Sequence, residues 1–275
     1  MTSKPKTNRL DAVVATSASI SRERAQSLIM AGKVMVNGSP VTKAGASVPD
    51  DARIEITDDT RFVSRGGEKL EKALDAFEWP VIGLRCLDVG ASTGGFTDCL
   101  LQRGAASVTA VDVGYGQLAW SLQSDPRVTV VDRTNFRIAD VRELGAPFDF
   151  ITIDVSFISL TKLADQLRAS ASDSARLVAL IKPQFEAGRA AVGRGGVVRD
   201  ASEHAKAIES VMAAFESVGL APARLTFSPI TGPAGNIEFL IGAVIAGGGR
   251  ADGGVLARDL DVAGVVAAAH ETLVR

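Results

Sequence analysis

Four ionisable side chains could work together, three of them where apolar runs begin or end. Lys69 lies on the amphipathic stretch SRGGEKLEKALDAF, Asp154 closes FDFITID, Lys182 closes RLVALIK directly before Pro183, and Glu238 opens NIEFLIGAV. A charge bordering a buried strand is costly unless it is paired, and two lysines with two carboxylates can satisfy one another. A lysine that is desolvated or set beside a second cation becomes a base that works near neutral pH. Deprotonating a poorly acidic hydroxyl is helped by such a base. The plainer alternative is a surface ion pair between Lys69 and Glu238 and a structural strand-end pair between Asp154 and Lys182.

The stretch LDVGASTGGF, residues 87–96, offers a place for a cofactor. It reads as a buried strand, a tight glycine turn and a helix start, a geometry that aims backbone N–H groups at a ligand. Its glycines run G-x-x-x-G-G, whereas a dinucleotide-binding turn reads G-x-G-x-x-G and receives a pyrophosphate. Here Asp88 precedes the first glycine, where a phosphate would be repelled. The pattern suits a ligand with a cationic end, and S-adenosylmethionine carries both an ammonium and a sulfonium. Gly90, Ala91, Ser92, Gly94 and Gly95 would wrap its methionine end, with Phe96 beside them as contact or core. Asp112, ending the second strand, sits about where an acid binds ribose hydroxyls in sheets of this kind. Asp132, after VTVV, could accept from an adenine amine. Both aspartates could instead serve only as caps or turn residues.

Alternating strands and helices must position these groups. Strands are expected near 85–89, 107–112, 127–131, 148–153, 176–181, 224–228 and 237–245, and helices near 64–77, 95–103, 116–123, 160–170 and 203–218. That alternation indicates an α/β fold, a mostly parallel seven-stranded sheet with helices on both faces. The glycine- and arginine-rich segment 187–200 reads as a loop near the strand ends. The first residues differ in kind. Two helices, RLDAVVATSA and SISRERAQSLIMAGK, precede KVMVNGSPV, whose Asn37-Gly38 is a strong hairpin signal, and the short strand ARIEIT. The expected organisation is a small N-terminal domain at 1–59, a linker at 60–64, an α/β domain at 65–247, and a linker with a C-terminal helix at 248–275.

The small domain resembles the S-four RNA-binding module through R-L-D at 9–11, S-R-x-x-A at 21–25 and I-x-x-G-K-V-x-V-N-G at 29–38. The resemblance implies that Arg9, Arg22, Arg24, Lys33 and Lys43 face folded RNA, reading shape and backbone more than sequence. In the larger domain, the order K-D-K-E resembles the catalytic tetrad of FtsJ-type RNA ribose 2′-O-methyltransferases. The neighbouring S-R-G-G-x-K-L, D-x-G-A-x-x-G-G-F-T and L-I-K-P-Q-F-E match as well, and Arg65 in the first of them joins the RNA candidates. The fusion of the two resembles the layout of the TlyA family of ribosomal RNA cytidine 2′-O-methyltransferases, historically called haemolysins. By that resemblance Lys182 is the general base, Asp154 orients it near the sulfonium methyl, and Lys69 and Glu238 place the ribose hydroxyl. The tetrapeptide Arg61-Phe62-Val63-Ser64 departs from the family, whose members often carry a tryptophan there.

Composition agrees with an intracellular RNA enzyme. Residues 1–49 hold seven basic and two acidic side chains, net +5, which leaves −7 for the rest of a chain of net charge −2. A basic head on an acidic body suits a polyanionic partner, here ribosomal RNA or ribosomal subunits. Cys86 and Cys99 lack metal or redox spacing and read as core thiols of a reducing cytoplasm. His204 and His270 are isolated, so neither a metal site nor a His-based triad is expected. No apolar run or leader marks a membrane protein, which weighs against a lytic haemolysin. A non-catalytic ribosome-assembly factor is the other alternative, and it has no use for an intact tetrad.

Overall fold

The computed structural model describes residues 7–18, 20–30, 32–56, 61–188, 191–247 and 260–274. The chain divides into two compact units, Met1–Arg61 and Phe62–Arg275.

In the first unit, β1 (Thr7–Arg9) leads into α1 (Leu10–Ser17) and α2 (Arg22–Met30). Leu10, Val14, Leu28, Ile29, Val34 and Val48 close a small apolar core between them. β2 (Val34–Val36) and β3 (Ser39–Pro40) form the expected hairpin. Asn37 and Gly38 both have positive φ, 51° and 78°, as a tight two-residue hairpin turn requires. β4 (Ser47–Pro49) pairs with β1, and β5 (Ile54–Ile56) pairs with β2. The β1–β4 pair was not foreseen, because three residues carry no alternation to read.

The second unit begins with α3 (Gly66–Phe77). Its sheet strands are β6 (Arg85–Val89), β7 (Ser107–Val111), β8 (Val128–Val131), β9 (Phe148–Ile153), β10 (Ala171–Ile181), β11 (Leu220–Phe227) and β12 (Phe239–Ile245). They are ordered β11-β12-β10-β9-β6-β7-β8, with β12 antiparallel to both of its neighbours and the pairs from β10 to β8 parallel. α4 (Gly95–Gln102), α5 (Trp120–Gln123), α6 (Ala164–Ser170), α7 (Pro183–Glu186), α8 (Ala201–Ser217) and α9 (Val262–Leu273) complete it. The expected helix at 116–123 is confined to α5, and that at 160–170 is a 3-10 turn, Leu160–Lys162, followed by α6. Residues 248–259 of the expected C-terminal linker lie outside the described residues.

Period-two alternation splits the sheet's side chains into two cores. Leu87, Val89, Ile151 and Ile153 pack with Ile208 and Phe215 of α8 on one face. Cys86, Phe150, Val178 and Leu180 pack with Leu70 of α3 and Leu100 of α4 on the other. Strand order reverses between β6 and β9, the crevice where doubly wound sheets bind ligands at their carboxyl edge. No helix among the described residues is long and apolar enough to cross a membrane.

Candidate active site

Register brings the four candidate residues to that carboxyl edge. Ile181 pairs with Phe239, so Lys182 and Glu238 follow at adjacent strand ends; Ala179 pairs with Ile153, so Asp154 stands near them just past the end of β9. Lys182 Nζ lies 2.6 Å from Asp154 Oδ1 without hydrogen-bond alignment, and donates at 3.0 Å to Ser156 Oγ. Lys69 Nζ donates to Glu238 Oε2 at 2.5 Å. The lysine side chains are 12% (Lys182) and 10% (Lys69) exposed, and Glu238 is 1% exposed. The set is therefore two ion pairs. Lys69, Asp154 and Lys182 line one cavity of about 270 Å³, with Glu238 buried behind Lys69.

The glycine loop forms the other wall of this cavity through Gly90, Ala91, Ser92, Gly95 and the mostly buried Phe96. Gly90, with φ +82°, cannot be replaced: a Cβ there would stand 2.5 Å from the Asp154 carbonyl oxygen. Gly94, at φ +100°, is pressed against Leu118 and Leu122. A second cavity of about 350 Å³ shares Gly90, Ser92, Asp154 and Ser156 with the first and continues past Asp112, Val113 and Phe136. The pair of cavities thus joins Lys182 to an elongated cleft over the strand ends.

Asp112 follows β7 and accepts from Ser92 N–H and Gly114 N–H, both at 2.7 Å, holding the glycine loop while facing the second cavity. Asp132 accepts from Gly116 N–H at 2.8 Å and is absent from both cavity linings, so its observed work is turn chemistry. Asp88 departs from expectation. It does not reach the ligand cleft: its side chain shares the Cys86 face of β6 and lies fully buried, accepting from Thr97 Oγ1 at 2.7 Å and Thr152 Oγ1 at 3.0 Å. It ties β6 to α4 and β9 beneath the loop.

Burial pushes the Asp88 carboxyl up to about 6, against the pull of the two threonine hydroxyls. A carboxyl raised in the fold stabilises below its unfolded value and loses that contribution as pH rises through the folded value. Asp88→Asn is therefore expected to raise stability near pH 8 by up to about 3 kcal/mol and to change little near pH 4. Thermal melts of both proteins across that range read the sign directly. Burial also drives the Cys86 thiol to about 12, so it is no nucleophile.

The structure adds groups that spacing did not reveal. Glu186 of α7 accepts from Leu160 N–H at 2.9 Å and bonds Ser159 Oγ at 2.6 Å, clamping the segment after Asp154 to the turn after Lys182. Phe157 on that segment is 92% exposed at φ +66°, its ring 5.2 Å from Phe185. An exposed aromatic on a left-handed backbone is costly without a partner. Phe62 is buried on Gly67, Val63 N–H donates to Asp98 Oδ2 at 2.8 Å, and Ser64 Oγ abuts Gly95. The expected linker thus belongs to the second unit from Phe62 onward. Phe62→Ala is expected to lose about 3–5 kcal/mol of stability and to weaken cofactor binding, measured by denaturation and calorimetry.

Of the RNA candidates, Arg9 and Arg22 are half-exposed and converge on buried Asp11, at 2.8 and 3.1 Å. Arg9 and Arg22 hold the Asp11 carboxyl well below its ordinary range. Lys33 is half-buried beside β2 and Lys43 is exposed. Arg24 sits on α2, and its side chain lies outside the described residues. Arg65 is exposed on the wall of the first cavity.

Comparison with known proteins decides the family. The FtsJ-like methyltransferase family matches residues 62–244, and the S4 domain family matches residues 8–54. The 16S/23S rRNA (cytidine-2′-O)-methyltransferase TlyA of Mycobacterium tuberculosis is 47% identical over 223 residues, 80% of this chain and 83% of that protein. The chain belongs to the TlyA family. Hemolysin A of Brachyspira hyodysenteriae is 42% identical across 82% of this chain and 94% of its own. Among solved structures, one described as a hemolysin from Streptococcus thermophilus superposes with a TM-score of 0.76. It is 41% identical and covers 98% of this chain and 97% of that one.

Proposed function

We propose that this chain transfers a methyl group from S-adenosylmethionine to the 2′-hydroxyl of a cytidine ribose in ribosomal RNA. The carrying observation is the pairing of Lys182 with Asp154 and of Lys69 with Glu238 at a cavity whose other wall is the glycine loop. The TlyA relative named as a 16S/23S rRNA (cytidine-2′-O)-methyltransferase supports the substrate.

The residues fit the cofactor. Gly90 leaves a cradle that any Cβ would fill, and Asp154 lines both cavities beside it. Gly90, Ala91, Ser92, Gly94 and Gly95 would hold the amino-acid end, and Asp112 the ribose hydroxyls. When bound, S-adenosylmethionine supplies an electrophilic methyl carbon. Lys182, after its ammonium has released a proton to solvent, removes the 2′-hydroxyl proton through the neutral Nζ as that oxygen becomes the nucleophile. Asp154 and Ser156 aim Nζ and receive the positive charge it gains. Lys69, held by Glu238, donates to the acceptor ribose. Much of the acceleration comes from holding the hydroxyl in line. A target nucleotide drawn out of its stack would find an aromatic face in Phe157. The first unit docks the RNA through Arg9, Arg22, Arg24, Lys33 and Lys43, and Arg65 meets it at the cavity.

Ribosomal subunits from a strain deleted for this gene, incubated with the protein and methyl-labelled S-adenosylmethionine, are expected to gain label at ribose 2′-oxygens of cytidine. Label on a base, or none on either subunit, overturns the reading.

A further inference from the structure

The segment 193–200, the two histidines and α9 have no part in the mechanism above, yet one buried side chain joins them to it. Asn236 is 1% exposed and satisfies both ends of its amide. Its Oδ1 accepts from Val198 N–H at 3.0 Å, and its Nδ2 donates to the Gly196 carbonyl at 2.9 Å.

Behind Asn236, the contacts run to the C-terminal helix. Val198 is buried, and its carbonyl lies 3.0 Å from His204 Nε2, while His204 Nδ1 lies 3.0 Å from His270 Nε2 on α9. A carbonyl only accepts, so His204 Nε2 carries the proton. In the neutral ring Nδ1 then accepts, and His270 Nε2–H donates. Burial lowers the His204 pKa, which keeps that ring neutral. The histidines that looked isolated 66 residues apart are thus one hydrogen-bonded pair.

Ahead of Asn236, the contacts run to the active site. The Asn236 carbonyl accepts from Gly232 N–H at 2.9 Å, and the Glu238 carbonyl accepts from Ser228 N–H at 2.8 Å, closing residues 228–238 into a loop. Pro233 at its tip lines the lysine cavity. Gly232 lies so close to Glu238 that a Cβ there would stand 2.5 Å from Oε1. The placement of Glu238, and through it of Lys69, therefore depends on how this loop is held.

We propose that Asn236 is a positioning residue for methyl transfer, bracing the loop that carries Glu238 against the 196–198 segment and, through His204 and His270, against α9. The proposal rests on the functional reading above. A loop released by a fraction of an ångström leaves the cofactor wall intact but misplaces the group that holds the acceptor, and a misplacement of about 1 Å costs on the order of 10²-fold.

The test is steady-state methyl transfer to ribosomal subunits by full-length Asn236→Ala, His270→Ala and the double variant. S-adenosylmethionine affinity and melting temperature are measured alongside. Asn236→Ala is expected to lose roughly 10–100-fold in kcat with KM for cofactor and subunits within about threefold. His270→Ala is expected to lose less, in the same direction, and the double variant to be no worse than Asn236→Ala alone, because both act along one chain of contacts. If Asn236→Ala does not fold, Asn236→Asp keeps the acceptor for Val198, loses the donor to Gly196, and is expected to show the same split. Unchanged kcat, a loss confined to KM, or strictly additive losses overturn the proposal while the wild type remains active. A wild type that transfers no methyl group overturns the functional reading and this proposal together.

Discussion

Lys182→Ala is expected to fold, to bind S-adenosylmethionine and rRNA with near-native affinity, and to lose methyl transfer by roughly 10²–10⁴-fold, the usual weight of a general base. Folding should survive because Lys182 follows the last residue of β10 and lies outside both apolar cores. Its departure leaves Asp154, whose side chain is 22% exposed, with access to water. A loss of activity in the alanine variant would by itself be ambiguous, since a severed ion pair could move Asp154. Lys182→Arg separates the two cases. Arginine keeps the positive charge beside Asp154 but does not release its proton. If Lys182 is the base, the arginine variant is as inactive as the alanine variant; if its role is to pair with Asp154, activity largely returns. Single-turnover rates with saturating cofactor, beside calorimetric affinities, distinguish these outcomes.

Much of this site was legible because its residues terminate apolar strands. The runs FDFITI and RCLDV fall within a single residue parity of two packed faces, so their limits matched the observed β9 and β6. Residues at the carboxyl edge, Asp154 and Lys182, follow from those limits. Asp88 answers to the strand it sits on and not to the loop that follows. The same parity that puts Leu87 and Val89 on one face puts Asp88 with Cys86 on the other, toward Thr97 of α4. The groups not foreseen owe their roles to long-range contact. Glu186 meets Leu160 across 26 residues and His204 meets His270 across 66, and neither pair has a local period or spacing that would announce it. Phe157 reads as an ordinary apolar residue until its exposure and left-handed backbone are seen together.

The pair Lys69–Glu238 offers the second large effect, because stability and activity should part company there. Both partners are nearly buried, and removing one leaves the other charged without compensation, a loss of about 3–5 kcal/mol for such pairs. Lys69→Met and Glu238→Gln are each expected to destabilise the protein, Lys69→Met toward the upper end because it strands a carboxylate with 1% exposure. The double variant removes both charges while keeping similar volumes, so most of the lost stability should return, as it does when buried pairs are replaced whole. Activity should not return with it, since neither substitute restores a cation to the lysine cavity. Denaturant titrations of the four proteins give the coupling energy, and methyl transfer by the same samples gives the functional outcome. A double variant that regains turnover along with stability would show that the pair only holds α3 to β12. A stable double variant without turnover places the Lys69 ammonium in the chemistry, with Glu238 serving to hold a charge that the fold would otherwise expel.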